Sequence, residues 1–188
     1  MSPAELWARW DGIFGFAGKL RACGFCARAN TVVVMKVTPL ILASASPRRV
    51  ELLRLFVPAF EVVLAEVTEL ADDHLSPYEL CQLNAHRKAR AVAKRFPDAL
   101  VLGADTLVFL NREIFGKPAN LAEAREMIAR LQGRTHQVVT GVSLIHLRPH
   151  RERIFAVSTD VRFRSLKAPQ VRDYLSRINP LDKAGAYA

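Results

Sequence analysis

Apolar and polar residues alternate along most of the chain in two different rhythms. Leu40-Ile-Leu-Ala-Ser44 is a short apolar run, the pattern of a buried strand. Ser46-Pro47 then opens a helix to about Phe56, because Ser at the N-cap and Pro in the first helical position favour a helix start. Phe60 to Ala65 reads as a second strand. Ser76-Pro-Tyr-Glu79 is a capping box, and the amphipathic stretch behind it predicts a long helix to about Phe96. Leu100 to Leu110 is an apolar strand that Gly103-Ala-Asp-Thr106 should interrupt. Asn120 caps a helix through Leu131, which Gly133 ends. His136 to Leu147 and Arg153 to Arg164 read as strands, and Ala168 to Ile178 as a final helix. Strands and helices in alternation predict an α/β protein with a mixed, twisted sheet.

Residues 1–34 break this regularity. They hold both tryptophans and four of the nine glycines, with no clean period. Asp11 and Glu5 interrupt the basic character that a targeting segment would have, and no small-residue cleavage pattern follows an apolar core. The expectation is an N-terminal extension over 1–34 that lies outside the fold, with the folded domain over 35–188 and translation starting at Met35.

Composition narrows the class. A chain of 188 residues, 51% hydrophobic and 24% charged, can bury one sizeable core or two small lobes around a cleft. No uncharged apolar run approaches the ~20 residues of a membrane helix. The formal net charge is +9, of which residues 1–38 carry +3 and the rest +6. That balance favours polyanionic ligands. The basic residues are scattered singly or in pairs, so no nucleic-acid stripe is evident. Three cysteines, Cys23, Cys26 and Cys81, are too few and too unevenly spaced for a disulfide framework, which suits a reducing compartment. Cys23 and Cys26 form a C-x-x-C pair with no second pair to complete a zinc site, and incidental thiols are the simpler reading.

Four segments carry candidate chemistry. In Ser44-Ala-Ser-Pro-Arg-Arg49 a strand runs into a helix N-terminus, whose free amides and positive dipole attract anions. Ser44 and Ser46 add hydroxyl donors, and Arg48 and Arg49 add planar forks that match phosphate oxygens. A solvated, merely capped helix is the alternative. In Gly103-Ala-Asp105-Thr106, a carboxylate inside an apolar strand is costly to bury alone. It would hold a divalent metal, orient a water, or mark a bend beside the glycine. Gly116-Lys117-Pro118 fixes a point charge on a constrained loop, suited to phosphate or to an ordinary surface turn; it is not a Walker A sequence. Gly133-Arg134-Thr135-His136 offers a cation and an imidazole that would bind phosphate, exchange protons or cap the strand. The other histidines show no ligand spacing, and no G-x-S-x-G elbow is present.

Taken in order, these segments resemble the Maf family of nucleotide pyrophosphatases. The matching strings are L-I-L-A-S-A-S-P-R-R-V-E-L-L (40–53), G-A-D-T-L-V (103–108), G-K-P (116–118), E-A-R-E-M-I-A-R-L-Q-G-R-T-H-Q-V-V-T-G-V (123–142) and D-K-A-G-A-Y (182–187). The resemblance runs from Pro39 to Tyr187. It implies an α/β fold with two lobes around a nucleotide-binding cleft, as in inosine-triphosphate pyrophosphatases. It also implies a divalent cation, Mg²⁺ or Mn²⁺, and cleavage of nucleoside triphosphates to monophosphates and pyrophosphate. Members are typically cytoplasmic and often homodimeric. By position, the resemblance puts the proton-accepting carboxylate on Asp105 and its acidic partner on Glu69, the two together as metal ligands. It puts the lysines on Lys88 and Lys117, and the phosphate-loop residues on Ser44, Arg48 and Arg49; Ser46, Arg134 and His136 are further candidate phosphate contacts from the segments read above. Arg48 and Thr106 fall where substrate specificity is expected, and S-P-R-R with A-D-T and D-K-A-G-A-Y resembles the branch acting on dTTP and UTP. The family pattern continues past Tyr187 with Gly and Ile-Gln-Gly, so a C-terminally incomplete domain of lowered stability is expected. Two other functions compete: a non-catalytic nucleotide- or nucleic-acid-binding regulator, and a pyrophosphatase of the inosine-triphosphate kind.

Overall fold

The computed structural model describes residues 38–188 apart from Asp73 and Arg112. The extension expected over 1–34, Met35, Cys23 and Cys26 lie outside the described residues. Six strands form one mixed sheet: β1 (Leu40–Ala43), β2 (Glu61–Val62), β3 (Leu100–Leu110), β4 (Glu113–Phe115), β5 (Thr135–His146) and β6 (Arg151–Arg162). The helices are α1 (Pro47–Arg54), α2 (Pro77–Arg95), α3 (Leu121–Leu131) and α4 (Ala168–Ser176), with 3-10 turns at Pro180–Asp182 and Ala184–Ala186. The strand order is β2-β1-β3-β5-β6, and β4 pairs with β3 off this path. β1 is parallel to β2 and β3, whereas β3, β5 and β6 run antiparallel and β4 folds back on β3. No helix among the described residues is long and apolar enough to cross a membrane.

β3 organises the molecule. β5 pairs with it from Leu100 to Phe109 along one edge. On its other edge β1 takes Leu100–Gly103, and β4 takes Val108–Leu110. Between these two partners, at Ala104 to Leu107, the edge has no partner strand among the described residues. The expected interruption at Gly103–Thr106 is therefore absent from β3 itself, which runs unbroken; the gap lies in its neighbours. The strand expected over Phe60–Ala65 is paired only at Glu61 and Val62, at the edge of the sheet.

Side chains alternate across a strand, so β3 serves two cores. On one face α2 packs with the stripe Cys81, Asn84, Ala85, Ala89 and Val92, at helical spacing. This contact is close because Gly103 and Gly141 have no side chain: a Cβ on Gly103 would sit 2.3 Å from the Ala85 carbonyl oxygen, and one on Gly141 2.3 Å from the Cys81 carbonyl carbon. The core here joins Ile41, Ala43, Ala89, Val92, Val101 and Ile145. On the opposite face Val108, Phe115 and Leu131 pack together, and Ala124 and Ile128 of α3 meet Val171 and Leu175 of α4. Two cores along one sheet fit the expected two-lobed architecture.

The capping signals act as the sequence predicts. Ser76 accepts the Glu79 amide while Glu79 accepts the Ser76 amide, a complete capping box. Asn120 accepts from the amides of Ala122 and Glu123. Ser46 occupies the N-cap of α1 without a side-chain cap; instead Ser44 Oγ accepts the Ser46 amide at 3.3 Å.

Candidate active site

The gap in the β3 edge is filled by Arg49. Its guanidinium donates to Ser44 Oγ at 3.1 Å, to the Ala104 carbonyl at 2.8 Å and to Thr106 Oγ1 at 3.0 Å. One fork thus ties the end of β1 to the unpaired stretch of β3, a task that a point-charge lysine lacks the geometry for. Thr106 Oγ1 also meets Thr140 Oγ1 of β5 at 3.1 Å. Burial pushes the Arg49 pKa down, against the opposing fields of Asp105 and Glu69.

Asp105 faces the other way, toward α2. It is buried, and Lys88 Nζ donates to its Oδ1 at 2.6 Å. The same ammonium donates to Glu69 Oε1 at 2.6 Å. Lys88 lies on the buried stripe of α2, one turn after Asn84, so helical spacing brings it over Asp105. Asn84 holds the segment carrying Glu69: its side chain accepts the Leu70 amide at 2.8 Å and donates to the Leu70 carbonyl at 3.1 Å. Its Nδ2 is 3.5 Å from Asp105 Oδ2. Partial burial pushes the Glu69 carboxyl up, but the Lys88 hydrogen bond and the charges of Lys88, Lys117 and Arg49 outweigh it and hold the group below its usual value. Beneath this pair, burial and the Asp105 charge raise the free Cys81 thiol to about 11, so it stays protonated.

Six expected residues therefore fall into two hydrogen-bonded groups on neighbouring positions of β3, Ser44, Arg49 and Thr106 in one and Glu69, Lys88 and Asp105 in the other, while Lys117 acts on Glu69 through its charge alone. Lys88, Arg49 and Lys117 outnumber the two carboxylates among them, leaving a positive excess suited to an anion. Arg48 and Ser46 flank the group, Arg48 exposed and close enough for its charge to act on Arg49.

Arg134 and His136 are not brought there. Arg134 is exposed, six residues before Thr140 and so about 20 Å along the strand. His136 shares the parity of Thr140, which places it on the sheet face opposite Asp105. It is 2% exposed and meets Phe163 and Tyr187 edge-on, with centroids 4.8 and 5.4 Å away. Two participants were not evident in the sequence. Asn84 resembles any polar residue of an amphipathic helix, and Thr140 any outward residue of a strand; only the register across β3 and β5 singles it out.

A hard divalent cation takes oxygen ligands, and Mg²⁺ is commonly held by one or two carboxylates plus substrate phosphates and water. Among the described residues no cluster of three or more His, Cys, Asp or Glu forms a closed cage. Asp105 and Glu69 each give one oxygen to Lys88, and Asp105 Oδ2 has only the long Asn84 contact. This donor set fits an open site completed by a nucleotide, not a structural metal.

Residues 39–188 match the family described as Maf-like protein. A dTTP/UTP pyrophosphatase of Symbiobacterium thermophilum is 51% identical over 148 residues, 79% of this chain and 75% of that protein. One from Syntrophus aciditrophicus is 46% identical over 154 residues, 82% of this chain and 75% of the relative. One from Akkermansia muciniphila is 44% identical over 152 residues, covering 81% and 79%.

Proposed function

This chain belongs to the Maf family and is a nucleoside triphosphate pyrophosphatase, and we propose that it hydrolyses dTTP and UTP to the monophosphate and pyrophosphate at the centre formed by Asp105, Lys88 and Glu69. The observation that carries the site is the single ammonium of Lys88 held at 2.6 Å by both carboxylates, beside the Ser44–Arg49 loop. The names of the relatives support the choice of substrates.

In this reading the triphosphate lies across the positive rim made by Arg48, Lys117 and the start of α1. A water oxygen attacks the α-phosphorus in line, and the bond to the bridging oxygen of the β-phosphate breaks. The water's proton passes to the Asp105 carboxylate, and pyrophosphate leaves with its charge compensated by the basic side chains. Catalysis of this kind rests on positioning and electrostatics. Arg49 keeps Ser44 and Thr106 in place rather than sitting free in solvent, and Lys88 fixes the Asp105 carboxylate in one orientation. Asp105 and Glu69 would hold a divalent cation, Mg²⁺ or Mn²⁺, which would supply charge neutralisation on the phosphates. A cytoplasmic, homodimeric enzyme acting on the nucleotide pool completes the proposal.

A nucleotide panel with Mg²⁺, read by pyrophosphate release, tests it. The expected result is turnover of dTTP and UTP well above that of purine nucleotides. Equal turnover across the panel would overturn the substrate assignment, and binding without turnover would overturn the catalytic one.

A further inference from the structure

The buried His136 and the half-buried Tyr187 make a contact that the catalytic reading does not use. His136 Nε2 and the Tyr187 hydroxyl are 2.8 Å apart. The Tyr187 ring packs edge-on against Phe163, with centroids 4.8 Å apart. Around the pair lie Val108, Phe115 and Leu131, so the aromatic cluster is continuous with the second core. Its partner is the turn just before it in sequence. Gly185 adopts φ of 69°, and a Cβ there would lie 3.0 Å from the Tyr187 ring and 3.1 Å from Val108, so the turn closes directly onto the ring. From this turn the Gly185 amide donates to the Gly116 carbonyl at 3.0 Å. Gly116 immediately precedes Lys117, whose side chain is exposed and whose charge lowers the Glu69 pKa. Pro118, buried, closes the other side of the same short loop.

A lysine between Gly and Pro on the five-residue loop 116–120 has no helix or strand of its own to orient it. Phe115 anchors the start of the loop in the second core, and the backbone bond from Gly185 ties Gly116 to the same core. We infer that His136 and Tyr187 form a latch that positions Lys117 toward the nucleotide phosphates, acting through the Gly185–Gly116 hydrogen bond. They are positioning residues, on the sheet face opposite Asp105, and their influence reaches the site through the backbone of the Lys117 loop. This inference rests on the reading of Lys117 as a phosphate ligand.

Two measurements test the latch on the full chain. In Tyr187→Phe, which keeps the ring and removes only the hydroxyl, amide hydrogen exchange without nucleotide should quicken about tenfold at Gly185 and across residues 113–118. The KM for dTTP should rise about three- to tenfold while kcat changes less than about twofold. In a Lys117→Ala background the same Tyr187→Phe change should raise KM no further. His136→Gln, whose amide still reaches the phenol, should stay near the wild type, whereas His136→Leu should match Tyr187→Phe. Unchanged exchange in Tyr187→Phe overturns the latch. An equal rise in KM with and without Lys117 overturns its action through that lysine. If Lys117→Ala alone leaves KM unchanged, the phosphate role of Lys117 falls, a failure separate from the mechanical link that the exchange rates decide.

Discussion

Ser44–Arg49 and Gly133–His136 look alike on paper. Each joins a strand and a helix end, each carries arginine and at least one small hydroxyl residue, and each invites a phosphate. In the folded protein they do different things. The first wraps the edge of β3 where β1 ends and β4 has not begun, and its Arg49 bonds three groups there. The second begins β5 far along the strand, with Arg134 in solvent and His136 packed among aromatic rings. A polar loop is a ligand site only where the sheet leaves backbone and carboxylates within reach of it. Local composition does not contain that information.

The contrast is breakable, and the most damaging change should be at the carboxylate beside the first loop. Asp105→Asn should lower kcat by about 10³-fold or more, with little loss of thermal stability, because the amide keeps the shape and loses the proton acceptor. Near-normal turnover would remove Asp105 from the reaction. Arg49→Lys comes next: a point charge cannot bridge Ser44, Ala104 and Thr106 together. An expected fall of about 10²-fold in kcat/KM, with a lower Tm, distinguishes this brace from a solvated arginine. A Tm and kcat/KM equal to the wild type would show that the fork is not needed.

At the second loop the expected losses are in stability. His136→Leu leaves the half-buried Tyr187 hydroxyl without this partner and should cost about 1 kcal/mol in urea unfolding, with kcat within about twofold. A collapse of kcat in folded protein would return His136 to the chemistry. The pair also sets a pH window. Burial lowers the His136 pKa below 6.5, so the unfolded chain binds the proton first as pH falls. The stability it contributes is present above 6.5 and is lost as pH drops through the folded value. Burial, with a smaller contribution from Tyr174, pushes the Tyr187 phenol from 10.0 up to about 12, so the unfolded phenol ionises first. Its share is present below pH 10 and disappears toward 12. Urea midpoints across pH should therefore fall at both ends, and Tyr187→Phe should flatten the alkaline end; an unchanged alkaline slope would contradict this. The smallest effect belongs to Arg134→Ala, with stability within about 0.5 kcal/mol and KM unaltered. A several-fold rise in KM would bring Arg134 back to the nucleotide.

Much of the scaffold is legible from local rules, because these rules act over a few residues. The Ser76–Glu79 capping box, the Asn120 cap, the Pro47 start and the helical stripe of α2 each follow from side chains within a turn of one another. The extent of β2 is not legible in this way. Its apolar run is longer than its pairing, since β1 offers it only two partners at the edge. The continuity of β3 across Gly103–Thr106 is likewise decided from outside, by unbroken pairing to β5 and by α2 resting on Gly103 and Gly141.

The site divides along the same line. The chemical types at Ser44, Arg49, Asp105 and Lys117, and their order along the chain, stand in the sequence and suffice to indicate the family. Which of them meet is a matter of strand parity and register. Parity sends Asp105 toward α2 and Thr106 away from it, and register sets Thr106 beside Thr140. The turn of α2 drops Lys88 between two carboxylates that are distant in sequence. Side-chain identity carries charge and hydrogen-bonding capacity, and these the sequence determines alone. Proximity between residues 17 to 57 positions apart exists only once the sheet has formed, and only the tertiary structure could decide it.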